Sequence, residues 1–176
     1  MANKTSVYAG IDRNSEDFQA VTDQYAGRCL ESIKDDLAAL DHARECTKIG
    51  CKRGSETTRF KKSDGTYGQQ MIHECPEAWH DEDAARAHIA ESHYGVKVRS
   101  DWHTPGDGAY HSSVEYIITL GGGGPASRII GDLEDGQPYS AHFEYQDWFK
   151  PWTKALLSGE EEEVLLRFAK CLYFRD

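Results

Sequence analysis

The chain has 176 residues, of which 39% are hydrophobic and 11% aromatic, and its formal net charge is -10. That composition supports a folded core and excludes a disordered chain, at a length that suits one domain or one domain with a small added module. So acidic a chain is repelled by nucleic acid as a whole, which leaves only local basic patches to make such a contact.

No run approaches the roughly 18 apolar residues of a membrane span, so no membrane contact is expected. The opening MANKTSVYAGIDRNSEDF contains no apolar signal core, and the expected location is cytoplasmic. There the five cysteines, Cys29, Cys46, Cys51, Cys75 and Cys171, read as reduced thiols or metal ligands, not as a disulfide framework.

Residues 1–45 form the first expected segment, with a long amphipathic helix from residue 14 to about 45. Phe18, Val21, Tyr25, Cys29, Ile33, Leu37 and Leu40 recur three or four apart and share one stripe. Asn14 or Ser15 is placed to cap it. The stripe either packs along the domain or pairs with the same helix of a second copy, which would make a homodimer.

Residues 46–95 form the second segment. Between Cys46 and Lys62 stand Lys48, Lys52, Arg53, Arg59, Lys61 and Lys62 against one acid, Glu56. TTRFKK, the turn Ser63-Asp64-Gly65 and TYGQQMIH read as a hairpin. Asp81 to Asp83 then cap a helix through AARAHIAESH. On it His88 and His93 lie little more than one turn apart, so both imidazoles can face one metal ion. Cys75 precedes His88 by twelve intervening residues, with Trp79 and Ala85 between them.

This plan, Cys-x3-aromatic-x5-apolar-x2-His-x4-His, resembles the C2H2 zinc finger after its second cysteine, over about 45 of the 176 residues. The family's first cysteine is displaced: Cys51, with 23 residues between it and Cys75, stands in for it across the hairpin. Ala85 is smaller than the residue the family usually places there. The resemblance implies a ββα unit around one structural Zn2+ held by Cys51, Cys75, His88 and His93, with no open position for chemistry. Cys46, His80 and His73 are reserve ligands, and Cys46-x4-Cys51 with Cys75-x4-His80 is a rival set.

Residues 96–112, with Pro105, Gly106 and Gly108, read as a linker or loop. Residues 113–176 then change to strand periodicity. SVEYIITL, ASRIIGDL and YSAHFEYQDW form a three-stranded antiparallel meander, with turns at Gly121 to Pro125 and at Asp135-Gly136. A closing helix from about Gly159 to Phe174 covers it through Val164, Leu165, Phe168, Ala169 and Leu172. Glu160 to Glu163 sit in its first turn, where the helix dipole favours them. The expected fold is α+β: a long helix, a zinc-stabilised finger-like unit, and a meander under a C-terminal helix.

For function, no catalytic motif stands out. His73-Glu74 has no second histidine at the spacing of a zinc protease, and Gly121 to Gly124 lead into a strand, not a helix. Tyr145-Gln146-Asp147-Trp148-Phe149-Lys150-Pro151-Trp152 is the densest aromatic cluster, and Trp148 and Trp152 are the candidate anchors for a protein partner. The GGGGP turn, two strands and YQDWFKPW together resemble small uncharacterised bacteriophage proteins. That resemblance implies an accessory protein that binds a host protein, in the manner of acidic inhibitors of host defence. Two alternatives stay open. One is nucleic-acid binding through Lys52, Arg53, Arg59, Lys61 and Lys62. The other is an enzyme of unrecognised class using Asp107, His111 or His142.

Overall fold

The computed structural model describes residues 17–45, 55–61, 67–73, 81–100, 102, 104 and 112–174, with 55–61 and 67–73 described as backbone. Helix α1 spans Phe18–Glu45, the ribbon strands β1 and β2 span Ser55–Lys61 and Tyr67–His73, and helix α2 spans Glu82–Glu91. Strands β3 (Gly95–Ser100), β4 (Ser113–Gly121), β5 (Ala126–Glu134), β6 (Gln137–Pro138), β7 (His142–Gln146) and β8 (Thr153–Lys154) follow, and helix α3 (Gly159–Ala169) closes the chain. The chain divides into two compact units, one of Met1–Leu37 with His88–Asp176 and the other of Ala38–Ala87. No helix among the described residues is long and apolar enough to cross a membrane.

The α1 helix begins at Phe18, the first residue of its apolar stripe and four residues after the expected start at residue 14. Asp17 caps it, accepting a hydrogen bond from the Ala20 N–H at 3.1 Å; Asn14 and Ser15 lie outside the described residues. Val21, Tyr25, Ile33, Leu37 and Leu40 are all buried. Phe18 and Cys29 of the same stripe are half-buried.

In the larger unit the sheet runs β3-β4-β5-β7-β8, with β6 paired to β5, and every pairing is antiparallel. The period of two sorts its faces. Tyr116 and Ile118 on β4, Ile129 on β5, and Phe143 and Tyr145 on β7 are fully buried. Tyr25 of α1 stacks on Tyr145 with ring centroids 4.2 Å apart, and Phe174 packs on Tyr116 at 4.7 Å. Leu165, Phe168 and Ala169 of α3 are buried as expected. Arg128 and Glu144, opposite one another on β5 and β7, stand on the other face.

The turns follow their chemistry. Asp135 and Gly136 both have positive φ, 50° and 73°, between the paired Glu134 and Gln137. That is the two-residue hairpin an Asp-Gly pair favours. Ser158 and Glu161 form a capping box at the start of α3. These contacts hold the Glu161 carboxyl below its ordinary value.

The expected linker over 96–112 is corrected. Residues 95–100 form β3, which pairs with β4 from Gly95↔Thr119 to Ser100↔Ser113. The alternation Val96-Lys97-Val98-Arg99 is a strand pattern, and the breakers Pro105, Gly106 and Gly108 act only beyond it. No strand pairs with the outer edge of β3 among the described residues.

The smaller unit holds the end of α1, the β1–β2 ribbon and the start of α2. Ser55 pairs with His73 and Lys61 with Tyr67, so the predicted hairpin forms. Asp81 caps α2 through the Asp83 N–H at 2.9 Å. Glu82 accepts from Arg44 at 3.0 Å and from Arg86 at 2.9 Å, and these guanidinium groups hold its carboxyl below the usual value.

Candidate functional site

The expected zinc centre is corrected. Among the described residues no three His, Cys, Asp or Glu side chains gather where they could hold a metal ion. The two histidines of the expected shell have other partners. His88 on α2 places Nε2 3.3 Å from Oδ1 of the buried Asp36. The α2 helix ends at Glu91, so His93 falls in the bend before β3, not on the helix. Its Nδ1 lies 3.3 Å from the Ile89 carbonyl oxygen. The shared helical face that would aim both rings at one ion is missing. Cys51, Cys75, Cys46 and His80 lie outside the described residues, and His73 ends β2. Of the remaining thiols, Cys29 and Cys171 are half-buried and form no disulfide, and the Cys171 Sγ donates to the Arg167 carbonyl at 3.4 Å. Burial pushes the Cys29 thiol up to about 12.

Of the basic residues proposed for nucleic acid, Arg59 and Lys61 stand on β1, opposite Gln69 and Tyr67. Lys52, Arg53 and Lys62 lie outside the described residues, as do Asp107 and His111. His142 opens β7, its Nε2 3.5 Å from Glu144 Oε1. It borders a polar cleft of about 460 Å³ with Asp132, Tyr139, Ser140, Lys154 and Glu162. The Ser140 hydroxyl donates to Asp132 Oδ2 at 2.7 Å and accepts from the Asp132 N–H at 2.9 Å. Those bonds tie the hydroxyl, in the connection between β6 and β7, to Asp132 on β5, where it braces backbone.

The aromatic segment after β7 divides into three parts. Tyr145 is core. Trp152 is half-buried, with the Arg128 guanidinium 4.0 Å above its ring. That guanidinium is also bound to Glu144 Oε2, at 2.8 Å from Nε and 2.6 Å from the terminal nitrogen. Trp152 is thus a packing residue more than a free anchor. Trp148 and Phe149 are different. They are 64% and 101% exposed.

Their position is built by the backbone beneath them. The β4–β5 turn runs through Gly123, at φ 107°, to Gly124. A Cβ on Gly124 would stand 2.5, 2.8 and 2.9 Å from three ring carbons of Trp148. The bare backbone is what lets the indole lie flat on the turn. The Trp148 N–H donates to Asp147 Oδ1 at 2.7 Å, and the Lys150 N–H donates to the Asp147 carbonyl at 3.0 Å. Phe149 takes the left-handed conformation, φ 60°, which is unusual for a bulky residue and turns its ring outward. The two rings are 6.2 Å apart and inclined by 41°. With Gly123, Gly124, Ala126, Gln146 and Asp147 they border a cleft of about 140 Å³.

Asp147, Phe149 and Gly124 were not singled out from sequence. A glycine run and an aromatic pair become one site only because Ala126 pairs with Gln146, which brings the two loops to the same end of the sheet. No family model matches the chain, and neither a curated protein nor a solved structure is similar to it.

Proposed function

We propose that the chain acts by binding a protein partner, with Trp148 and Phe149 as the anchor of the interface. The observation that carries this reading is the exposure of two large adjacent rings on a braced turn. Large aromatics held in place are the residues that dominate binding energy at interfaces, because few rotamers are lost on docking. The acidic balance of the chain favours a partner with a basic surface. Trp152, half-buried under the Arg128 guanidinium, is left out of this anchor.

Replacing Phe149 by a photo-reactive phenylalanine analogue tests the reading in the native cell. A discrete adduct with one protein is expected, followed by binding of that purified protein with at least about tenfold loss for Trp148→Ala, the size of a moderate hot spot. Absence of an adduct at 149, or equal affinity for Trp148→Ala, overturns it.

A further inference from the structure

We infer that the cleft between Gly124, Asp147, Trp148 and Phe149 is a receptor for one arginine side chain of the partner. The guanidinium lies on the aromatic pair and is held by the Asp147 carboxylate. This rests on the reading of Trp148 and Phe149 as the partner surface, and specifies what that surface recognises.

Size sets the first limit. A cleft of about 140 Å³ matches a single side chain in size. Charge sets the second. Asp147 Oδ1 accepts the Trp148 N–H, while Oδ2 makes no hydrogen bond among the described residues and retains its acceptor capacity. The neighbouring cation is directed elsewhere: the Lys150 ammonium lies over the Phe18 ring, 5.7 Å from its centroid. The cleft therefore offers a carboxylate beside exposed aromatic rings with no cation from its own chain among the described residues. A positive group that also stacks is the complement.

The same molecule already holds that combination nearby. On β5 and β7, Arg128 lies 4.0 Å over Trp152 and is bound to Glu144. Carboxylate, indole and guanidinium form a closed set there. Asp147 and Trp148 repeat the first two members at the end of the same strand, facing outward, with the third left to be supplied from outside. Arginine fits better than lysine because its planar group stacks and pairs with a carboxylate at once, whereas an ammonium is a compact, strongly hydrated point charge.

The test uses the full chain labelled with 15N and three small probes: N-acetyl-argininamide, its neutral isostere N-acetyl-citrullinamide, and N-acetyl-leucinamide. Trp148 is assigned by the indole N–H signal that disappears in Trp148→Phe. The arginine probe is expected to shift that signal with millimolar affinity and to leave the Trp152 indole, already under Arg128, in place. Citrulline is expected to bind roughly fivefold to tenfold more weakly. Asp147→Asn keeps an oxygen for the Trp148 N–H and is expected to reduce arginine to the level of citrulline. Equal shifts from all three probes, no change on Asp147→Asn, or no shift at all overturns the arginine receptor. Cross-linking at position 149 is read separately: an adduct there with any of those outcomes leaves an apolar anchor as the partner surface.

Discussion

Substituting Gly124 by alanine should separate the fold of this protein from its candidate binding surface. The new methyl would overlap the Trp148 indole, 2.5 Å at the nearest ring carbon, and the ring is free to move because its outer side is solvent. Trp148 is 64% exposed, so roughly a third of its surface is covered. For a side chain of about 250 Å² that is about 90 Å², or about 2 kcal/mol at 25 cal/mol/Å², an upper bound since the unfolded chain also covers some of it. Urea denaturation should therefore place Gly124→Ala between about 0.5 and 2 kcal/mol below the parent, still folded. In the Trp148→Ala background the ring is gone and the same substitution should cost less than about 0.5 kcal/mol. An equal cost in both backgrounds refutes the contact as the cause. Loss of arginine-probe binding should accompany Gly124→Ala without loss of the fold.

Gly131→Ala tests the core instead. A Cβ there meets the Ser140 carbonyl oxygen and comes 2.7 Å from the Tyr116 hydroxyl, which donates to that carbonyl at 2.7 Å. A loss of about 2–5 kcal/mol is expected in the same denaturation assay, combining overpacking with a broken buried hydrogen bond; a value under about 0.5 kcal/mol contradicts the geometry. Ser158→Ala should cost about 1 kcal/mol through the capping box of α3. The Glu161 carboxyl in that box is held below its usual value. Its contribution is thus complete above the ordinary carboxylate range and is lost as pH falls through the folded value. Glu161→Gln should therefore flatten the acid side of a stability-versus-pH curve, and an unchanged slope would count against the box. Cys29, with its thiol pushed up to about 12, should resist iodoacetamide at pH 8 in the native chain and react on unfolding. Peptide mapping by mass spectrometry reads this directly, and native labelling at the unfolded rate would show the thiol to be accessible.

Much of the fold was legible because its signals are periodic. The stripe on α1 and the alternation in β4, β5 and β7 are statements about which side of an element is wet, and burial follows them. Asp135-Gly136 announces its turn because both positions need positive φ. The β3 strand was obscured by the breakers that follow it, although Val96-Lys97-Val98-Arg99 alternates. The finger-like spacing misled for a related reason. Spacing specifies what residues can reach if a helix continues, and α2 stops at Glu91, carrying His93 off the expected face. Trp148 and Trp152 look alike in the chain. What distinguishes them is Arg128, set opposite Glu144 by strand register, and register is a long-range property.

The charges on β3 bear on how copies of this protein behave in concentrated solution. Lys97 and Arg99 point from the exposed positions of an edge strand. Two copies meeting edge to edge, antiparallel about a twofold axis normal to the sheet, must keep like faces together, and the opposed residues then share parity. In the registers centred on Lys97 and on Val98, Lys97 would face itself and Arg99 respectively across the seam, at roughly the 4.5–5.5 Å typical of cross-strand Cβ atoms. Such repulsion guards the seam against growth into a continuous ribbon. Because it acts between solvated ions, the guard weakens as added salt shortens the screening length.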